Sequence, residues 1–246
     1  MKNIHFILQG KGGVGKTMIS TILSQYYIHM ERTVLPIDLD PVNSSLSKFS
    51  KLNAIQIKLC DDGKIKPRNF DTLIDTIVSA PDNAVIIIDS GASSFVPLNV
   101  YMIENSIIQF LIEEANCSVT LHSIIVGGQG AGDTITGLEA LLSNYGKTNP
   151  APNIAVWVNP FFGFLEKDGK NFTDSKFYNN YKESITYILN IPHLDLELFG
   201  NDFMNLMRKG LTFDESKEDE SFSLMAKHRL YKMKISYFEL IQTVGL

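Results

Sequence analysis

"ILQGKGGVGKTMIS", residues 7–20, interrupts an apolar run with four glycines and resumes as a segment of helical character. Inside it, residues 10–17, GKGGVGKT, satisfy the pattern G-x-x-x-x-G-K-[ST]. Gly10, Gly12, Gly13 and Gly15 allow a loop to turn its backbone N–H groups, Val14 included, around a phosphate in dihedrals that side chains forbid. Lys16 then reaches the outer phosphates and the Thr17 hydroxyl ligates magnesium. The helix beginning at Lys16, Thr17 and Met18 offers its N-terminus to the anion. A second lysine, Lys11, lies in the same loop, and a single phosphate cradle has no need of it.

Working outward, short apolar runs alternate with helical patterns. The runs are residues 3–9, 33–38, 84–89, 118–126, 153–159 and 184–191. Between the first two, Ile19, Ile22, Leu23, Tyr26 and Tyr27 fall on one helical face. Residues 133–146 read as a helix with Asp133 as N-cap and Gly146 as C-cap. Strands apolar on consecutive residues are covered on both faces, so the expected fold is a doubly wound α/β sheet, mostly parallel, with helices on both sides. Ligands of such sheets bind at the carboxyl ends of the strands, where this chain places Gly10, Asp38, Asp89, Gly127 and Asn159.

Length and composition narrow the classes. With 246 residues and 44% hydrophobic content, the expectation is one domain over residues 1–246, ending in a helical segment from about 197 to 246. Against 22 Lys and Arg stand 27 Asp and Glu, a formal charge of −5, so no whole-molecule positive field draws it to nucleic acid or acidic lipid. The N-terminal apolar run is too short for a signal-peptide core and no run approaches the length of a membrane span, giving a cytoplasmic expectation. Cys60 and Cys117 show neither disulfide nor metal-ligand spacing and read as buried thiols.

With Lys11, Gly12 and Gly13 added to the phosphate pattern, "KGGVGKT" resembles the ParA/MinD family of deviant Walker A ATPases, P-loop NTPases of SIMIBI type. The resemblance implies ATP and ADP with Mg²⁺ as ligands, and a homodimer in the ATP state in which Lys11 crosses to the partner's nucleotide. The physical logic is that of an arginine finger: a cation arrives at the developing charge only with the partner. "LPIDLDPVNSS" supplies Asp38 and Asp40; by resemblance Asp40 positions the attacking water near the metal, and Asp38 orients the loop lysine. As a bare pattern, Asp-x-Asp-Pro also reads as a strand-end turn. "AVIIIDSGAS" ends in Asp89, a second metal support beside Thr17 and Asp40. Relatives continue this strand with a proline-rich switch; here Ser90 or Ser93 either touches phosphate or caps the next helix, the capping reading being favoured. Asn159 stands where relatives recognise adenine, or else forms a turn before Pro160. "IPHLD" (191–195) resembles the family's last strand end beside the base.

Outside the nucleotide motifs, "HFILQGKGGVGK", "IDLDPVN", "KPRNFDTLID", "DSGASSFVPL" and "LTFD" resemble the TraL-type branch from conjugative plasmids. That branch implies a slow ATPase working in plasmid transfer or partition, with conjugation or partition proteins as partners and with recruitment to membrane or nucleoid. Two other readings are a small-molecule ATP-dependent enzyme resembling dethiobiotin synthetase, and a scaffold that binds nucleotide with little turnover. For the enzyme, residues 159–177 form an acceptor pocket; otherwise they are a docking insert. Leu230, Met233, Tyr237 and Ile241 make a core-facing stripe on the last helix. Its basic residues Lys227, Arg229, Lys232 and Lys234 alternatively suit DNA or membrane, while Lys64, Lys66 and Arg68 read as an exposed loop.

Overall fold

A computed structural model describes residues 1–61, 63–165, 171–193 and 195–246. The strands are β1 (Lys2–Ile7), β2 (Val34–Asp38), β3 (Ile55–Gln56), β4 (Cys60–Asp61), β5 (Lys64–Ile65), β6 (Val85–Asp89), β7 (Cys117–Val126), β8 (Asn153–Asn159) and β9 (Tyr187–Asn190). Seven of them form one sheet in the order β3-β2-β6-β1-β7-β8-β9, with every pairing parallel. The doubly wound α/β expectation is met. β4 and β5 form a separate antiparallel hairpin.

The main helices are α1 (Lys16–His29), α2 (Asn69–Ser79), α3 (Phe95–Glu104), α4 (Ala131–Tyr145), α5 (Lys176–Tyr181), α6 (Asn201–Lys209) and α7 (Leu224–Val244). Alternation along β1 divides the core between the two faces of the sheet. Ile4 and Phe6 pack with Leu73 of α2 and Leu98 of α3. Ile7, on the opposite face, packs with Ile19 and Ile22 of α1 and with Leu230 and Tyr237 of α7. The stripe Leu230, Met233, Tyr237 and Ile241 is buried, so the last helix docks on the same core as α1.

Most of the basic residues of α7 are engaged within the chain. Arg229 Nε lies 2.6 Å from Asp202 Oδ2, and Lys234 Nζ, nearly buried, lies 2.7 Å from Asp214 Oδ2. Lys227 donates to the carbonyl of Lys217 at 2.8 Å. The charges of Arg229 and Lys234 are thereby compensated within the chain.

Two local expectations are corrected. Helix α4 begins at Ala131, two residues before Asp133, because a turn at Gly128–Gly130 already leads into it; Asp133 lies in the first turn and is not the N-cap. Gly146 is the C-cap as expected. Cys117 is buried, but Cys60 is only half-buried because it belongs to the outlying hairpin.

Candidate functional site

The sequence turns β1 into α1 through a tight loop. Gly13 (φ +77°) and Gly15 (φ +109°) adopt left-handed conformations that a side chain would strain. Helix α1 opens at Lys16 with no acidic residue in its first turn and no side-chain cap, leaving its N–H groups and positive dipole end for an anion. Gly10 packs so closely against Phe95 that an added Cβ would lie 3.1 Å from its ring. Gln9, fully buried, accepts from the Gly10 N–H at 2.9 Å and donates to the Ile124 and Thr134 carbonyls, bracing the loop from below.

Around this loop the strand ends converge. One cleft is lined by Gly12, Lys16, Thr17, Asp40, Ser90 and Ser93, with Gly13, Gly15 and Met18 shared with a neighbouring cleft. Asp38 and Asp89 are register partners on β2 and β6, and both are buried. Two carboxylates on adjacent buried strands are costly, and such cost collects at functional positions.

Asp89 meets α1 directly. Its Oδ2 accepts from Thr17 Oγ1 at 2.7 Å, and its Oδ1 accepts from Ser20 Oγ at 2.9 Å. Burial pushes its carboxyl up to about 7, with Asp38 adding to the rise, while Thr17, Ser20 and Lys16 pull the other way. The Lys16 ammonium is lowered by burial, against the attraction of Asp89 and Asp40, and donates to the Lys11 carbonyl at 3.0 Å. A hydroxyl and a carboxylate at contact distance, beside a cleft sized for phosphates, fit magnesium, which takes a few protein oxygens and fills its shell with water and phosphate.

Asp38 and Asp40 organise the segment after β2. Asp38 Oδ1 accepts from the Asp40 N–H at 3.0 Å, and its Oδ2 accepts from Ser47 N and Oγ at 2.9 and 3.0 Å. Its direct bonds are therefore to this segment and not to Lys16. Asp40 Oδ1 accepts from the Val42 and Asn43 N–H groups, closing an Asx turn. The strand-end turn and the site-facing carboxylate thus coexist in one residue. Beyond β6, Gly91 touches the same aspartate: a Cβ there would come within 2.9 Å of Asp40 Cγ and Oδ1.

Neither Ser90 nor Ser93 caps a helix. The Ser90 hydroxyl donates to the Ile7 carbonyl at 2.6 Å, tying β6 to β1, and the turns that follow carry no side-chain cap. Ser93 remains on the wall of the phosphate cleft. Asn159 spans two segments: its Nδ2 donates to the Val14 carbonyl at 3.0 Å and its Oδ1 accepts from Phe161 N at 3.1 Å. It caps the turn at Pro160–Phe162, so the turn-forming reading holds in this structure. Gly127 and Gly128 support that wall from β7, since a Cβ at either would strike carbonyl oxygens of residues 162–164.

Lys11 is half-exposed at the rim, with its Nζ 2.7 Å from Asp133 Oδ2. Of the region 159–177 read as acceptor pocket or docking insert, Phe161 and Phe162 line the neighbouring cleft and residues 166–170 lie outside the described residues, as do Asp62 beside the Lys64–Arg68 loop and Leu194 within "IPHLD". Ser20, Ser47 and Asp133 are site residues that sequence reasoning missed. Ser20 was within reach, because it follows Thr17 by three positions on the same helix face.

Comparison with known proteins follows the same lines. Residues 5–209 match the model of the CobQ/CobB/MinD/ParA nucleotide binding domain. The chain is 38% identical to Protein TraL of Escherichia coli over 247 aligned positions, covering all of both chains. Among solved structures it is similar to a ParA family ATPase from Chlorobium tepidum, with TM-score 0.57, 15% identity and coverage of 97% of this chain and 98% of that one. It is also similar to the septum site-determining protein MinD of Pyrococcus horikoshii, solved with Mg-ADP, with TM-score 0.52, 14% identity and coverage of 100% and 99%.

Proposed function

Since the chain belongs to the CobQ/CobB/MinD/ParA nucleotide-binding domain family, we propose that it is an ATP-binding, slowly hydrolysing switch whose ATP form is a homodimer, acting in plasmid conjugal transfer or partition. The observation that carries this reading is the convergence of Lys16, Thr17 and Asp40 on one cleft beside the left-handed glycines of the loop, with buried Asp89 bonded to Thr17 behind it. The TraL relatives, matched end to end, support the plasmid setting.

Each residue takes a role its position supports. The loop N–H groups and the α1 N-terminus hold the phosphates, and Lys16 neutralises the outer ones. Thr17 and Asp89 would hold magnesium, with Asp40 nearby; the ion supplies charge neutralisation at the phosphates. Asp40, fixed by its own turn, aligns a water for attack, and Asp38 fixes Asp40. Lys11, at the rim, completes the partner's site in the dimer.

The useful output is an association state timed by hydrolysis, because nucleotide binding shifts a monomer–dimer equilibrium only through its differential affinity for the two forms. Partners that recognise the dimer are conjugation or partition proteins, and the working compartment is the cytoplasm. Light scattering of Asp40→Ala with Mg-ATP and with Mg-ADP tests the reading. A dimer in ATP alone supports it; a monomer in both removes the switch.

A further inference from the structure

Residues 89–94, DSGASS, carry three serines, and the roles assigned above use none of them. Two are consumed by the fold. Ser90, buried, donates to the Ile7 carbonyl at 2.6 Å, and Ser94, also buried, donates to the Leu39 carbonyl at 3.2 Å. The segment is thus pinned to β1 at one end and to the residue after β2 at the other. Ser93 differs from both. It is exposed on the wall of the phosphate cleft that Lys16, Thr17 and Asp40 also line, and its hydroxyl has no hydrogen-bond partner among the described residues. The turn Ala92–Ser94 carries no side-chain cap, so capping does not occupy it either.

The segment lies close against the cradle. A Cβ on Gly12 would stand 4.0 Å from the Ala92 methyl, and one on Gly91 would stand 2.9 Å from the Asp40 carboxylate. Ser93 therefore follows two residues that abut the glycine loop and the aspartate assigned to the attacking water, the features that flank an outermost phosphate. With its backbone held on both sides, the hydroxyl has only to rotate to donate, and little ordering is left for binding to impose. Ser45 lines the same cleft, but its neighbours Leu46 and Ser47 are drawn away, the first into a small core with Phe49 and Leu52 and the second onto Asp38.

Building on the nucleotide-binding reading above, we propose that the Ser93 hydroxyl donates to the terminal phosphate of a bound nucleoside triphosphate and sets the preference of the site for triphosphate over diphosphate. A diphosphate ends one phosphoryl group short and leaves this donor unused. Backbone N–H groups in the first turn of the same helix are open to the anion as well. They persist when the side chain is shortened, so a substitution at Ser93 isolates the hydroxyl. A hydrogen bond to a charged group is worth about 10- to 150-fold in affinity. A difference of that kind between two nucleotides is what biases an association equilibrium.

The test is calorimetric titration of the full chain, wild type and Ser93→Ala, with the magnesium complexes of AMPPNP and of ADP. The variant is expected to bind AMPPNP about 10-fold or more weakly while its ADP constant stays within about 2-fold of wild type. A smaller loss for AMPPNP, or an equal loss for both nucleotides, overturns the proposal. Ser93→Thr keeps the hydroxyl at an exposed position with room for a methyl, and wild-type preference is expected to return in it. A Thr variant as impaired as the Ala variant would place the effect in the turn and not in the hydroxyl, and would overturn the proposal even if Ser93→Ala failed to fold. A selective loss in Ser45→Ala with none in Ser93→Ala would give the role to the other wall. Binding of neither nucleotide by the wild type would instead remove the nucleotide-binding reading itself.

Discussion

Lys11 Nζ lies 2.7 Å from Asp133 Oδ2, so the lysine assigned to the partner's nucleotide is held within its own chain by the first turn of α4. Reaching across a dimer means breaking this pair in each protomer. Exposed pairs are worth about 0.2–1 kcal/mol, so two of them oppose dimerisation by roughly 2- to 30-fold. Asp133→Asn is expected to tighten the ATP-dependent dimer by that factor, measured by sedimentation or light scattering. In a Lys11→Ala background, which is expected to lose the dimer, the same substitution should not restore it. An unchanged dimer constant in the otherwise wild-type chain would show that the pair is idle.

The two loop lysines should separate cleanly. Lys16 lies inside the phosphate cleft, and its removal takes away the charge-assisted bonds to phosphate and leaves Asp89 without its nearby cation. The expected loss is about 2–4 kcal/mol of nucleotide binding, roughly 30- to 1000-fold. Lys11→Ala should keep nucleotide binding and lose both the dimer and hydrolysis. Normal turnover by the Lys11 variant would end its role across the interface.

The loop, six of the sheet strands and the carboxylates at their ends were legible because each is a local pattern: a fixed glycine spacing, an apolar run, an aspartate after a run. β3 escaped notice because two largely exposed residues at a sheet edge show no periodicity. Asp133 resembled a cap in isolation; its partner is 122 positions away in sequence and is brought near only by the fold. Asn159 posed a choice between base contact and turn; the Phe161 N–H two residues on is a local turn partner, but the Val14 carbonyl that engages its amide nitrogen is 145 positions away and becomes a neighbour only in the folded chain. Ser90 and Ser93 looked like caps because a helix follows them, yet the parallel pairing of β6 with β1 gives Ser90 the Ile7 carbonyl as a stronger claim.

Gly91 joins the two segments that flank the phosphate cleft. Its φ is ordinary, so the requirement is space: a Cβ would meet the Asp40 carboxylate at 2.9 Å and its Cα at 3.2 Å. Gly91→Ala is therefore expected to displace Asp40, cost about 1–3 kcal/mol of stability and depress hydrolysis while triphosphate binding persists. Nucleotide titration, phosphate release and a melting curve on one preparation check this. Unimpaired phosphate release would mean that Asp40 has room to yield without consequence.

A chain of buried polar rings beneath the site sets an acid limit to stability. Trp157 Nε1, a donor only, bonds His122 Nδ1 at 2.9 Å, so neutral His122 carries its proton on Nε2 and donates to His5 Nδ1, also at 2.9 Å. His5 must then carry its proton on Nε2, the buried side-chain atom that has no hydrogen-bond partner among the described residues. Burial lowers His5 to about 4 from 6.5 and lowers His122 well below its ordinary value, with His5 opposing a second charge. Because the folded values lie below the unfolded ones, the unfolded chain binds the extra protons as pH falls. The share of stability that depends on these rings is complete above about 6.5 and is lost on descent toward 4, with His5 contributing a loss of about 2 kcal/mol by pH 5, while protonation of the raised Asp89 carboxyl acts in the opposite direction over the same range. Urea midpoints at pH 7 and pH 5 for the wild type and for His5→Leu measure this, the variant being expected to lose less on acidification. Equal losses in the two proteins would assign the acid sensitivity to other groups.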